Sequence, residues 1–346
     1  MEKFCENPYW QYFCGLETFQ HKVPCHPTTL VKWRKKIGEK GVEKLLIHTI
    51  ETAKREGLLP EKLIKNVNVD TTVQEKAITF PTDTKLCHRS RVKLVEAAKK
   101  RGVRLRQTYV RVSKRACSMQ ARHVPAGQMK KAKAQLKKVK NYLGRVTRDI
   151  IRQVDLSKDP ELAFLVSQSN KLLQQEKNTP KKLYSLHAPE TECIAKGKVH
   201  KRYEFGCKVW VVTTCKEPWV LSVLAHHDNP YDGATLKECL SKAEENSQVK
   251  IENAFADKGY RGEEHHPKGI TIFISGTKNL PVKFSRLLKK RSAIEPIIGY
   301  LKNEYKLNRN YLLGKVGDKI NAVLSGCAFN LKKIINYLKM EQFHYA

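Results

Sequence analysis

Polar and apolar residues alternate most clearly at residues 66–73, which predicts a β-strand. One face of this strand carries Val67, Val69, Thr71 and Val73. The opposite face is polar and includes Asp70. The polar face is either the solvent side of an edge strand, or it projects Asp70 from a central strand into a cleft. Residues 77–81 predict a second strand that pairs with the first as a hairpin.

Apolar runs predict four further strands in the second half of the chain, separated by one helix. The strands are predicted at residues 203–214, 219–225, 249–257 and 269–275, and the helix at residues 233–246. Asp257 closes the third of these strands and precedes a glycine-containing turn. From residue 286 onward the pattern is helical. Because strands and helices alternate, the sequence predicts an α/β or α+β core.

The first 60 residues predict a separate helical region. Pro27 suits the first turn of a helix, and Gly38 is predicted to end it. This short basic helix contains Trp33 and is either a DNA-reading helix or a helix that packs Trp33 inward, the second being favoured. An amphipathic helix follows at residues 41–55, and a domain boundary is predicted near residue 60.

A heptad seam runs through residues 129–150, where apolar side chains recur at spacings of three and four. Asp159 and Pro160 then form the start signal of a second apolar-faced helix. The simplest interpretation is an antiparallel helical hairpin, inserted at about residues 126–180 of a domain that spans residues 61–346. A coiled-coil dimer is the less favoured alternative, because the second helix offers a partner seam close by.

The charge of the chain is strongly basic, with 66 Lys and Arg against 34 Asp and Glu and a formal net charge of +32. Residues 85–140 contain 19 Lys and Arg but a single acid, Glu96. Basic runs are usually solvated faces, yet a surplus of this size repels itself unless a polyanion neutralises it. We therefore expect phosphate binding, with Arg104, Arg106 and Arg111 as backbone contacts of DNA.

Several site classes receive no support from the sequence. No apolar run approaches a membrane span, and the acidic, aromatic N-terminus does not resemble a signal peptide. The ten cysteines form no C-x-x-C pair, so neither a zinc site nor a disulfide framework is predicted, and we expect reduced thiols. The run His226-His227-Asp228 is interpreted as structural, because neighbouring residues on a strand face opposite ways.

Residues 290–302 combine an acid, several bases and a proline within an apolar run. On a helix, Arg291, Glu295 and Lys302 fall within about 40° of one stripe, whereas Glu304 lies on the opposite face. Pro296 disfavours helix at Glu295, so this acid is expected at a helix start with Arg291 just before it. The common use of such spacing is a surface ion pair. The functional alternative is an acid that holds a metal beside cations that hold phosphate.

Asp70, Asp257 and Glu295 together match a requirement of phosphodiester chemistry. Cleavage by two divalent ions needs a few carboxylates brought together, one of them able to bridge both ions. Hard oxygen ligands are those that Mg²⁺ prefers.

These acids lie in motifs that resemble the three catalytic blocks of DDE transposases of the insertion-sequence-5 family. The blocks are NVDTTV at residues 68–73, DKGYRG at residues 257–262 and RSAIEPIIGYLK at residues 291–302. Residues 7–15, 187–198 and 229–233 are similar to further blocks of the family, so the resemblance covers nearly the whole chain.

The resemblance implies a ribonuclease-H-like core and Mg²⁺-dependent DNA strand transfer, with Mn²⁺ as a substitute ion. It implies that Asp70, Asp257 and Glu295 are the metal-binding triad, and that Arg291 and Lys302 are the Arg and Lys of the family's Y-R-E-K signature. The tyrosine of that signature is replaced by Leu288. Family members carry more chain before the block that begins at Asn7, so we expect a shortened N-terminal DNA-binding region.

Three functions are consistent with these observations. The first is a transposase that acts on the double-stranded DNA of element ends and target as a homodimer, in the cytoplasm at the nucleoid. The second is a nuclease of the same fold that cuts without joining. The third is a non-catalytic basic protein that binds DNA or RNA.

Overall fold

The computed structural model describes residues 2–176, 178–195 and 202–344, and within them it contains twelve α-helices and six β-strands. The strands are β1 (Asn66–Glu75), β2 (Glu192–Ala195), β3 (Tyr203–Thr214), β4 (Val220–His226), β5 (Asn253–Ala256) and β6 (Thr271–Ile274). The helices are α1 (Glu2–Glu6), α2 (Pro8–Phe13), α3 (Pro27–Arg55), α4 (Glu61–Ile64), α5 (Asp83–Lys100), α6 (Val110–His123), α7 (Met129–Gln153), α8 (Pro160–Gln174), α9 (Asp232–Ser247), α10 (Val282–Lys289), α11 (Ile294–Asn303) and α12 (Gly314–His344). The predicted α/β class is confirmed.

All six strands form one mixed sheet in the order β2-β3-β1-β5-β6, with β4 also paired to β3. The pairs among β1, β2, β3 and β4 are antiparallel, whereas β1 with β5 and β5 with β6 are parallel. β1 therefore lies in the middle of the sheet, which excludes the edge-strand interpretation of its polar face. Asn68 and Thr72 on that face are buried.

Helices α3 and α9 pack on one face of the sheet and α11 on the other, whereas α12 contributes to the cores on both faces. Val67 and Val69 belong to the larger core, which also receives buried side chains from α3, α9 and α12. The opposite face, where Asp70 lies directly across from Val211, packs against α11 through Ile297 and Leu301. Because side chains alternate along a strand, Asp70 and Val69 face opposite layers. The polar face of β1 is thus placed under α11.

The predicted second strand at residues 77–81 is wrong. Ala77 donates its backbone N–H to the carbonyl oxygen of Asn310, and the chain then leaves the sheet for α5, whose N-cap is Thr82. The backbone N–H of Asn310 in turn donates to the carbonyl oxygen of Glu75. Residue 310, and not a returning strand at residues 77–81, therefore pairs with the end of β1.

Four helices, α5 to α8, stand between β1 and β2 and enclose a hydrophobic core of their own. The hairpin predicted at about residues 126–180 corresponds to α7 and α8, the last two of the four. The heptad seam of α7 is largely buried, including Val139 and Leu143. It packs mainly against α5 and α6, with α8 as a smaller contact. Helix α6 was not predicted from the sequence.

The N-terminal region is helical, as predicted, but two details differ. Pro27 does begin α3, with the His26 side chain as N-cap. Gly38 adopts a positive φ of 61°, yet it kinks α3 and does not end it. Trp33 is 47% exposed, so the favoured interpretation that it packs inward is wrong. None of the helices in the described ranges is both long and apolar enough to cross a lipid bilayer.

Candidate active site

Asp70 lies in the middle of the central strand, partly buried beneath α11. Its side chain is 17% exposed, and its Oδ1 accepts the backbone N–H of Thr71 at 2.8 Å. Oδ2 lies 3.5 Å from Nη1 of Arg291. The strand thus holds the carboxylate at the bottom of a polar surface with a guanidinium above it.

Asp257 follows β5 directly, and β5 is the parallel neighbour of β1. In the parallel pair of β1 and β5, Asn68 lies opposite Phe255. Continued by two residues beyond the paired segment, that register would align Asp257 with Asp70 on the same face. Asp257 Oδ1 accepts the backbone N–H of Gly259 at 3.0 Å, which fixes the turn after the strand. One of the predicted acids therefore lies on β1, and a second directly follows its parallel neighbour β5.

Glu295 occupies the first turn of α11, just after a 3-10 turn at Lys290–Ala293. This is the predicted helix start, and Pro296 is tolerated because backbone N–H groups of a first turn have no helical partner. Nη2 of Arg291 lies 3.6 Å from Oε1 of Glu295. One guanidinium therefore contacts both Asp70 and Glu295, although they are far apart in the sequence.

The three predicted acids differ in exposure and do not form a tight cluster. The Glu295 side chain is 64% exposed, whereas that of Asp70 is 17% exposed. Within the part of the chain that the structure describes, these three carboxylates do not form a group with oxygens within 4.8 Å of one another. Glu304, the alternative third acid, is an exposed residue at the opposite end of α11. Their joint metal binding stays a prediction.

Lys302 lies near the other end of α11, away from the guanidinium of Arg291. Its Nζ is 3.9 Å from Oε1 of Glu204, a buried carboxylate on β3. The structure therefore gives Lys302 an acidic neighbour that the sequence analysis did not identify.

Asp232 is a further acid near the site that was not predicted. It begins α9, within the NPYDG block at residues 229–233. Its Oδ2 accepts the hydroxyl of Thr71 at 3.2 Å, and its Oδ1 lies 3.0 Å from Nζ of Lys208. Thr71 faces the layer opposite Asp70, so Asp232 supports β1 from the other side of the sheet. The resemblance of its block to a family motif was the available signal.

Tyr260 is buried near both Asp70 and Asp232. Burial raises the pKa of its phenol well above the usual value, and the nearby carboxylates of Asp70 and Asp232 add to the shift. The phenol therefore stays neutral at physiological pH, and Tyr260 acts as a packed support for the turn after Asp257.

The three predicted DNA contacts lie on the helical insertion. Arg104, Arg106 and Arg111 are all exposed, in the segment that joins α5 to α6 and in the first turn of α6. Nε of Arg106 lies 3.8 Å from Oδ1 of Asp149, and its backbone N–H donates to the same carboxylate at 2.8 Å. The side chain of Arg106 is nevertheless 81% exposed, so all three guanidinium groups are accessible to a polyanion.

Comparisons with known proteins give two matches. Residues 1–36 match the family described as "Transposase domain (DUF772)". A Rhizobium meliloti protein named "Uncharacterized protein ORF8 in nfe locus" is 47% identical over 128 residues, which is 37% of this chain and 62% of that protein. The chain thus spans less than two thirds of this relative's length. No solved structure matches. The comparisons therefore relate this chain to transposases through its first 36 residues.

Proposed function

We propose that this protein is a DDE transposase of the insertion-sequence-5 family, which cleaves DNA at element ends and joins it to a target. The observation that carries the proposal is that Asp70 lies on β1 and Asp257 directly follows β5, the parallel neighbour of β1, while Arg291 contacts both Asp70 and Glu295. The transposase-domain match at residues 1–36 supports the same function. We further propose that the mixed sheet is a ribonuclease-H-like core.

The donor set fits Mg²⁺, with Mn²⁺ as a substitute. Carboxylate oxygens are the ligands this ion prefers, and adjacent strands hold two of them in fixed positions. When bound, Mg²⁺ would activate the attacking oxygen and stabilise the leaving oxygen. Asp70 and Asp257 would hold the ion from the sheet, while Glu295, on the first turn of α11, would approach from above.

The remaining residues would bind DNA. Arg291 would grip a phosphate with two parallel hydrogen bonds, and Lys302 would add a point charge further along α11. Arg104, Arg106 and Arg111 would contact the DNA backbone through the insertion. We also propose that the protein acts as a homodimer assembled on double-stranded DNA at the nucleoid.

The test is incubation with the flanking element's end DNA and Mg²⁺, followed by mapping of cut and joined strands. Asp70→Asn, Asp257→Asn and Glu295→Gln each keep the shape of the side chain but remove its charge. We expect each to abolish cleavage while DNA binding without metal stays nearly intact. Glu304→Gln, at the C-cap of the same helix and away from Arg291, is the matched control and should cleave normally.

Other outcomes separate the competing functions. Cleavage without joining of pre-cut ends would indicate a nuclease of the same fold. Absence of any Mg²⁺- or Mn²⁺-dependent cleavage by the unmodified protein would indicate a non-catalytic nucleic-acid-binding protein. Full cleavage by Glu295→Gln would indicate that residues 290–302 form an ordinary amphipathic helix without a catalytic role.

A further inference from the structure

A second group of metal-binding side chains lies at the far end of β1, apart from the candidate active site. Cys207 on β3, His227 just after β4 and Asp318 on α12 each offer one ligand atom, and these atoms lie within 4.8 Å of one another. Cys207 and Asp318 are buried, and the His227 side chain is 6% exposed. We propose that these three residues bind a transition-metal ion of the zinc class.

The orientation of His227 points to a ligand. Its Nδ1 lies 3.0 Å from Oε1 of Glu192, a carboxylate that also accepts the backbone N–H groups of Asp228 and Asn229. Its Nε2 is buried and has no hydrogen-bond partner among the described residues. A histidine that donates Nδ1–H to a carboxylate presents the lone pair of Nε2, as metal-bound histidines commonly do. Asp318 and Cys207 offer ligand atoms next to this imidazole.

The spacing of His227 and Asp318 suits a small tetrahedral ion. Nε2 of His227 lies 3.4 Å from Oδ2 of Asp318. Two ligands at about 2.0–2.1 Å from a tetrahedral Zn²⁺ are separated by about 3.3–3.4 Å. Without an ion, a neutral His227 with its proton on Nδ1 would hold the unprotonated Nε2 3.4 Å from a carboxylate oxygen, which is a repulsive contact.

Each ligand is also held by an outer partner. Oδ1 of Asp318 is 2.8 Å from Nζ of Lys76 and 2.6 Å from Nδ2 of Asn310, which leaves Oδ2 turned towards His227. Nε2 of Gln74 lies 3.7 Å from the Cys207 sulfur. Outer partners of this kind orient metal ligands and are part of most metal sites.

The charge balance of the cluster favours a cation. Lys76 is buried and pairs at 2.8 Å with both Glu190 and Asp318, while Glu192 holds His227. Two carboxylates therefore share one buried lysine, and a third contacts His227, which is costly without further positive charge. Burial raises the pKa of the Cys207 thiol well above its ordinary value. On binding, the thiol would release its proton to solvent, and the ion would hold the thiolate.

This site is distinct from the proposed Mg²⁺ site in both place and chemistry. Its ligands are a soft sulfur, an imidazole and a carboxylate, a combination that selects zinc-like ions over Mg²⁺. They come from β3, the end of β4 and α12, so a bound ion would fasten the last helix to the sheet. We therefore assign it a structural role.

The test uses the full-length protein after removal of metal with a chelator, titrated with Co²⁺ under reducing conditions. We expect one equivalent of Co²⁺ to bind and to produce a near-ultraviolet thiolate-to-cobalt absorption band. Added Zn²⁺ should displace the Co²⁺ and abolish the band. Cys207→Ser should lose the band. Glu192→Gln, an outer partner, should keep the band but weaken Co²⁺ binding about 10- to 100-fold.

Cys239→Ser and His226→Gln are the matched controls. Cys239 is a buried thiol in the main core, and His226 adjoins His227 in the sequence. Both variants should retain the band and the affinity. Two results would overturn the proposal: no such band in the unmodified protein, or an unchanged band in Cys207→Ser. Absence of the band in the unmodified protein would indicate that His227 is instead a protonated ion-pair partner of Glu192 and Asp318. This result does not depend on whether any variant folds.

Discussion

At the scale of single residues, Arg291 connects the two halves of the candidate active site. Its guanidinium lies between Asp70 and Glu295, at 3.5 and 3.6 Å. A cation in this position stabilises both carboxylates, but it also competes with any metal ion that uses the same oxygens. Arg291 is therefore expected to regulate metal affinity as well as to bind phosphate.

Arg291→Gln tests this double role. Removal of the competing cation should strengthen Mn²⁺ binding about fivefold, as expected for an ion pair worth about 1 kcal/mol. Affinity for DNA should fall in the same variant, because glutamine cannot grip a phosphate with two charged hydrogen bonds. Titration calorimetry with Mn²⁺ and a DNA-binding assay measure the two effects. Arg309→Gln, an exposed arginine outside the site, is the control. Unchanged Mn²⁺ affinity would show that Arg291 does not compete with metal.

At the scale of elements, the connection from α5 to α6 concentrates accessible positive charge on the insertion. Arg104, Arg106 and Arg111 lie within a stretch of the chain that is nearly devoid of acids. Side chains of this kind bind the phosphate backbone of any sequence and release counterions.

Changing Arg104, Arg106 and Arg111 together to Glu should therefore flatten the salt dependence of DNA binding. The slope of log affinity against log salt is expected to become shallower by up to about 2.7, which is about 0.9 for each phosphate that the variant no longer binds. Binding at a series of salt concentrations, on two unrelated DNA sequences, measures it. Lys250→Glu is the control, because Lys250 is 89% exposed but lies outside the insertion. A slope equal to that of the unmodified protein would falsify the assignment.

At the scale of the whole molecule, the sheet and the helical insertion have separate cores. The main core contains side chains of β1, β3 and α9, whereas the insertion encloses Leu94, Leu143 and Ile150. Two cores joined through a few segments are expected to open separately.

Leu143→Ala checks this independence. Leu143 is fully buried in α7, so its truncation should cost about 2–5 kcal/mol in the stability of the insertion. Hydrogen–deuterium exchange should accelerate in α5 to α8 while β1 and β3 keep their protection. Uniform acceleration across both units would indicate a single cooperative core instead.

The sequence predicted features that depend on local periodicity and missed those that depend on tertiary context. β3 was predicted with its observed bounds, since its apolar run is long. α6 was missed because it buries only two small residues, Ser113 and Ala116, among those described. The helix-start position of Glu295 followed from Pro296.

The candidate sites show the same division. The contact between Arg291 and Glu295 followed from their four-residue spacing, whereas the contact between Arg291 and Asp70 required the packing of α11 on β1. Cys207, His227 and Asp318 come from distant parts of the chain with no chelating spacing, so no sequence pattern indicated them. His227 was interpreted as structural because its neighbours in the run His226-His227-Asp228 cannot chelate an ion with it. Its partners in the cluster, Cys207 and Asp318, are distant in the sequence.

The position of the insertion, between β1 and β2, also determines the order in which the protein can be completed during synthesis. Asp70 is made 187 residues before Asp257, which directly follows β5, the parallel neighbour of β1. At roughly 5–20 residues per second, a ribosome needs about 10–40 s to cover that interval. Helices α5 to α8 have local contacts and emerge first, so they can fold while β1 still waits for its parallel partner. A nascent chain therefore presents its basic surface to polyanions well before its acidic centre is assembled.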